Sequence, residues 1–199
     1  MRHRILFFFL AFIGISQFVT SSDVRNKYNF NSDWLLYVGD VPEAKQPRFS
    51  DSEWKKVTLP HAFNEDEAFR LSIDELTDTI MWYRKHFRLP ANSKNKKVFV
   101  EFEGVRQGAD FYINGQNVGL HENGVMAVGF DLTPYIKDNT FRLTILVSNV
   151  DYPTKGGHLT SPDTQTNWNG IIGEISLHIC DEIMIEHIKT YPDTEHKSV

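Results

Sequence analysis

The chain has a single cysteine, Cys180, so no disulfide can form within it and the fold must hold by packing alone. Signatures of self-sufficient chemistry are missing as well. The sequence contains no Gly-x-Ser-x-Gly elbow, no glycine-rich phosphate loop and no His-x-x-x-His pair that could grip a metal, so no catalytic residue, metal site or cofactor is expected. Dense positive charge is absent beyond Lys94, Lys96 and Lys97, and 26 acidic against 21 basic side chains leave a net charge of -5. Nucleic acid is therefore not an expected partner. No apolar run reaches the roughly 20 residues of a membrane helix, and internal repeats and low-complexity tracts do not occur.

What is present suits a packed domain. Of 199 residues, 41% are hydrophobic and 13% aromatic against 24% charged, a balance that supports a sizeable apolar core. The N-terminus differs from the rest: Arg2, His3 and Arg4 precede the apolar run Ile5 to Ile15, and small polar residues follow from Ser16 to Ser22. That order is the pattern of a secretory signal peptide, predicted over residues 1–22 with cleavage near Thr20 to Ser22. The mature chain is then exported, periplasmic or secreted, with no membrane contact after cleavage; an uncleaved anchor is the alternative. No cysteine follows the apolar run, which argues against a lipoprotein.

From Trp34 onward short apolar or alternating runs are punctuated by Gly, Pro, Asn and Asp, the pattern of many short strands without a helical period. Val98, Val100 and Phe102 point one way and Phe99, Glu101 and Glu103 the other; Phe141, Leu143, Ile145 and Val147 oppose Arg142, Thr144 and Ser148 in the same manner. Asn114-Gly115, between the predicted strands Phe111 to Ile113 and Gln116 to Gly119, is the pair best suited to a type I′ hairpin turn. Further strands are predicted over Trp34 to Val38, Lys56 to Leu59, Met81 to Leu89, Val125 to Phe130, Ile171 to Cys180 and Ile183 to Thr190. Glu65 to Thr77 has helix-like spacing and is predicted to be a loop with one or two helical turns. About nine strands without βαβ alternation predict an all-β, jelly-roll (galactose-binding-domain-like) β-sandwich over residues 23–181. Residues 182–199 start another strand and then turn polar, as the beginning of a second domain would.

Several residue types that could carry chemistry have plainer explanations. Cys180 ends an alternating strand, where a buried thiol is ordinary. Glu101 and Glu103 share one face, which fits a solvated sheet surface better than the opposed carboxylates of a glycosidase. His61, His86, His121, His158, His178 and His187 are scattered and read as structural or surface residues. The most distinctive stretch runs from Leu159 to Gly170, where Asp163, Asn167 and Trp168 join planar hydrogen-bonding groups to a large aromatic face. A carbohydrate site needs that mixture, carboxylate and amide for hydroxyls and indole for the C–H face of a pyranose. The alternative is that Trp168 plugs the core and the polar residues shape the loop.

Taken in order, several segments resemble the N-terminal sugar-binding-fold domain of glycoside hydrolase family 2, the group of β-galactosidases, β-glucuronidases and β-mannosidases. They are Trp54 to His61, Trp82 to Pro90, Phe102 to Val105 leading into Tyr112 to Gly115 and Val118-Gly119, His121 to Gly124, Phe130 to Tyr135 and Asn167 to Gly173. The resemblance implies that the parent enzyme hydrolyses O-glycosidic bonds of β-linked sugars, with a following immunoglobulin-like domain and a catalytic barrel that are absent here; residues 182–199 would open the former. The Asn-Glu-Pro segment of the family's acid/base is also absent from the sequence. The partners implied are a β-linked carbohydrate and the missing C-terminal domains. By position, the loops that would reach the sugar carry Asn64, Glu65 and Asp66 on one side and Asp163, Asn167 and Trp168 on the other. A free-standing exported carbohydrate-binding module without catalysis is the other function considered. Two departures bear on the transfer: Gly170-Ile171-Ile172-Gly173 stands where the family often has Gly-Ile-aromatic-Arg, and Thr164 stands where an acidic residue is common, with Asp163 one place earlier.

Overall fold

The computed structural model describes residues 25–62, 79–122, 126–150, 168–185, 188–192 and 194–196. Period-two alternation builds its sheets. In β6 (Lys97–Phe102) and β10 (Thr140–Ser148) the apolar positions singled out above are all buried, because one face of each strand turns toward the facing sheet. A four-stranded antiparallel sheet runs in the order β1 (Arg25–Asn29), β12 (Ile175–Cys180), β6, β9 (Val128–Asp131). A six-stranded sheet runs β3 (Lys55–Val57), β2 (Trp34–Val38), β5 (Ile80–Arg88), β10, β7 (Gly108–Ile113), β8 (Gln116–His121). A two-stranded ribbon joins β4 (His61–Ala62) to β11 (Gly170–Ile171). The chain is all-β, as expected, with one apolar core between the two larger sheets. Phe111 touches Phe102 and Phe130 across that core, with ring centroids 5.0 and 4.5 Å away.

The hairpin between β7 and β8 turns on Asn114 (φ 50°) and Gly115 (φ 86°), both in the left-handed region that the Asn-Gly pair was expected to supply. A second layer lies on the outer face of the six-stranded sheet. There residues 39–54, including a 3-10 turn at Pro42–Lys45, form a strap that buries Ala44, Trp54 and Trp82 together. Because this strap covers the outer side of β5, both faces of that strand are buried from Met81 to Lys85.

The structure corrects the expected elements in three places. β1 and β4 were not anticipated; β1 reads Arg-Asn-Lys-Tyr-Asn, with no apolar alternation, and is held by pairing along β12. The strand expected over Ile171 to Cys180 is split into β11 and β12. The break sits where Ile172 and Gly173 both donate to the Gly104 carbonyl, at 3.1 and 2.9 Å. A Cβ on Gly173 would fall 2.2 Å from the Gly104 nitrogen, so this approach needs glycine and leaves no room for the arginine common in the family. No strand occurs among the described residues of Ile183 to Thr190. Ile183 and Ile188 are 89% and 73% exposed, and no described strand pairs with this segment. The segments 1–22 and Glu65 to Thr77 lie outside the described residues.

Candidate functional site

The β4–β11 ribbon positions a shallow recess at the edge of the sandwich. Its antiparallel register places Gly170 opposite Ala62 and Ile171 opposite His61, which brings Ile172, just after β11, level with Pro60, just before β4. Among the described residues the recess is lined by Pro60, His61, Ala62, Trp168 and Ile172, around about 380 Å³, within the roughly 300–1,000 Å³ range of small-molecule sites. Its surface is predominantly apolar.

Trp168 settles one of the alternatives left open by the sequence. It does not plug the core: its indole is 40% exposed, while Trp34, Trp54 and Trp82 are buried. Its neighbour Asn169 is buried instead. An exposed indole beside proline and aliphatic side chains is a surface on which the C–H face of a sugar ring can stack. Of the other residues put forward as sugar contacts, Asn64, Glu65, Asp66, Asp163 and Asn167 all lie outside the described residues.

The polar wall of the recess is built from beneath. His61 Nδ1 and the Tyr83 hydroxyl lie 3.4 Å apart, and the same hydroxyl lies 3.4 Å from the His61 carbonyl, to which it donates. Burial pushes the Tyr83 phenol well up, so it stays a neutral donor that pins β4. Arg106, also buried, donates its backbone N–H to the Gly170 carbonyl at 3.0 Å and fixes the other strand of the ribbon. The sequence reading passed over Pro60, His61 and Ile172 as lining residues. The signal was present in Leu59-Pro60-His61 and Gly170-Ile171-Ile172, which flank the two loops, but the pairing of the two segments was not visible in either alone.

The other candidates take their plainer roles. Cys180 is buried and burial pushes its thiol up, which leaves it un-ionised and inert. Glu101 pairs with His178 at 3.1 Å on the outer face of the four-stranded sheet, where Arg25 Nε also donates to His178 Nδ1 at 3.2 Å. Burial and the charge of Arg25 pull the His178 imidazole down, against Glu101. Among the described residues no three His, Cys, Asp or Glu side chains gather closely enough to hold a metal ion.

Comparison with known proteins gives a consistent outcome. The family model described as "Glycosyl hydrolases family 2, sugar binding domain" matches residues 40–180. A β-glucuronidase of Formosa agariphila is 35% identical over 190 residues, covering 85% of this chain and 18% of its own length. A β-galactosidase of Thermoanaerobacter pseudethanolicus is 34% identical, covering 88% of this chain and 24% of its own. The chain thus spans about a fifth of these curated relatives. Among solved structures, a family 2 β-glucuronidase superposes with a TM-score of 0.69 at 35% identity, covering 82% of this chain and 18% of that one. Bacteroides uniformis β-glucuronidase 2, solved covalently bound to cyclophellitol-6-carboxylate aziridine, superposes with a TM-score of 0.69 at 29% identity, covering 79% and 18%.

Proposed function

Because the chain belongs to the sugar-binding domain of the family 2 glycosyl hydrolases, we propose that it presents the Trp168 recess to a β-linked sugar on behalf of a glycosidase whose bond-breaking residues lie outside it. The exposed indole of Trp168 over the β4–β11 ribbon carries this reading. In the proposed arrangement Trp168 stacks on the ring, and Asn64, Glu65, Asp66, Asp163 and Asn167 supply hydrogen bonds to its hydroxyls. The parent reaction is hydrolysis of an O-glycosidic bond, of a β-glucuronide or β-galactoside by the names of the relatives. Exported location is part of the proposal, supported by the basic-then-apolar order of residues 1–22. Ile183, Ile185, Ile188 and Tyr191, all strongly exposed, support a further one, that residues 182–199 lead into a second domain whose packing would cover them.

Tryptophan fluorescence tests the sugar contact directly, because three of the four tryptophans are buried and a ligand-dependent change reports on Trp168. The folded chain is titrated with glucuronic acid, galactose, mannose and short β-linked oligosaccharides. A saturable change that disappears in Trp168→Ala and weakens in Asp163→Ala is expected. No change with any of these sugars, in a chain whose thermal unfolding remains cooperative, would sink the binding role of the recess. Binding without any sensitivity to Trp168→Ala would move the sugar elsewhere on the domain.

A further inference from the structure

The outer face of the six-stranded sheet holds a second site, separate from the recess. The two are on opposite sides of β5: Tyr83 faces inward beneath His61, whereas the next even-numbered residues face outward. The strap shields this outer face only as far as Pro47. Beyond it the antiparallel register sets His86 opposite Arg142 and Arg88 opposite Thr140 on the uncovered side. With Pro47 and Asn114 these residues line an open groove of about 620 Å³.

The hydrogen bonds around the groove leave it rich in donors. Arg142 Nε donates to His86 Nδ1 at 3.4 Å, so His86 presents its other nitrogen as the donor to Asp51 Oδ2, 2.6 Å away. The same Asp51 oxygen accepts from Arg84 Nη1 at 3.1 Å. The carboxylate at the groove's edge is therefore engaged by two partners on its protein side. Asn114 Oδ1 accepts the Arg142 backbone N–H at 2.9 Å, leaving the amide NH₂ to donate. Among the described residues, the Arg88 side chain has no hydrogen-bond or ion-pair partner, and the terminal nitrogens of Arg142 have none either. Two guanidinium groups, an amide and a hydroxyl thus line one groove in which donors predominate, in a chain whose net charge is -5.

We propose that this groove binds the oxyanion of an acidic carbohydrate, a carboxylate or sulfate substituent held between Arg142 and Arg88. The proposal rests on the reading of the chain as a carbohydrate-binding domain, which selects a glycan as the bearer of the charge. The planar forks of the guanidinium groups match both oxyanions bidentately, and Asn114 and Thr140 can serve adjacent hydroxyls. The sugar in the Trp168 recess and the anion in the groove are independent sites.

The full chain is titrated calorimetrically with a hyaluronan tetrasaccharide, which carries carboxylates, with a carrageenan tetrasaccharide, which carries sulfates, and with uncharged cellotetraose. At least one acidic probe is expected to bind about tenfold more tightly than cellotetraose, and to weaken as salt rises from roughly 50 to 500 mM. Arg88→Gln and Arg142→Gln should each weaken that probe about fivefold or more, while leaving the binding of cellotetraose unchanged. Among the described residues the Arg88 side chain makes no hydrogen bond or ion pair, so Arg88→Gln keeps the wild-type unfolding temperature and reads binding alone. Acidic probes that bind both arginine variants as tightly as wild type, or fail to bind, overturn the subsite. Binding abolished by Trp168→Ala but not by the arginine variants overturns it while leaving the recess standing. A hexaglutamate peptide that competes at equal affinity overturns the carbohydrate assignment in favour of an acidic protein partner.

Discussion

β5 separates two buried regions that are stabilised differently, and adjacent residues show the contrast. On its inner side lies the inter-sheet core, a continuous cluster of aliphatic and aromatic side chains from both sheets. On its outer side the strap encloses a much smaller apolar cluster around Trp82, and fully buries Arg84 beside it. Arg84 is held by Thr144 Oγ1 at 3.2 Å, by the Phe49 carbonyl at 2.9 Å, by Asp51 at 3.1 Å and by the Ala44 carbonyl, with its guanidinium 4.6 Å from the centre of the Trp54 ring. Lys85, the next residue, points inward with the Ser32 carbonyl as its hydrogen-bond acceptor and the rings of Phe30 and Trp34 at 4.7 and 5.8 Å. Non-directional burial holds the sandwich together. A directional charge network holds the strap to it, because so few apolar atoms are available there.

The largest effect should come from the inner region. Phe111→Ala removes a fully buried ring packed against Phe102 and Phe130, and should cost about 3–5 kcal/mol, as large-to-small aromatic changes in close-packed cores do. Urea unfolding measures it, with the loss independent of pH between 4 and 8 because no titrating group is involved. A loss below about 1 kcal/mol would mean that the two sheets are not packed as one core, and the contrast would fail at its first term.

In the outer region the corresponding test is Asp51→Ala, which leaves Arg84 buried with carbonyl and hydroxyl acceptors but no counter-charge. Asp51 is itself partly exposed, so the expected cost is about 2–3 kcal/mol, below that of breaking a wholly buried pair. Unlike the core substitution, this one carries a pH signature. Burial pushes the Asp51 carboxyl up, but the hydrogen bonds and charges of His86 and Arg84 outweigh it and hold the group below its ordinary value of 3.8. A carboxyl depressed in the folded state adds stability that is complete above its unfolded value and is lost as pH falls through the folded one. Wild type should therefore lose more stability than Asp51→Ala between about pH 5 and pH 2. Parallel curves would show that Asp51 is not coupled to the strap's attachment.

The same contrast explains what could be read from the sequence. Strands of the inner core were legible because period two and the Asn114-Gly115 turn are local signals, and Val98 to Phe102 and Phe141 to Val147 follow them residue by residue. The outer layer was not legible. Arg142, Thr144 and Ser148 were expected on the face opposite the apolar one, and Thr144 does face outward, yet the strap buries it as an acceptor for Arg84. Alternation reports which face a residue is on, and a long-range covering segment decides whether that face meets water. β1 escaped notice for a related reason, since its pairing with β12 is set more than 145 residues away. The split between β11 and β12 depends on contact with Gly104, again a non-local cause. At the candidate site, the sequence supplied Trp168 but could not choose between a plug and a platform, because that choice turns on the β4–β11 ribbon joining segments over a hundred residues apart.

The smallest predicted effect bears most directly on the difference between the neighbouring cations. Burial pulls the Lys85 ammonium down from its ordinary range and the charge of Asp33 pushes it back, but no carboxylate among the described residues makes an ion pair with it. Replacement by methionine keeps the unbranched stem in the apolar core and removes the cost of burying a charge. It gives up one hydrogen bond to Ser32 and the attraction to Phe30 and Trp34. These terms are each about 1–2 kcal/mol and opposite in sign, so Lys85→Met should lie within about 1 kcal/mol of wild type in urea unfolding. The adjacent Arg84→Met has no such compensation, because it leaves the inward-facing carbonyls of Ala44 and Phe49 without their donor and Asp51 with His86 alone. A loss above about 2 kcal/mol for Lys85→Met would show that the inner region also depends on a directional charge, and the two sides of β5 would then differ only in how many acceptors surround the cation.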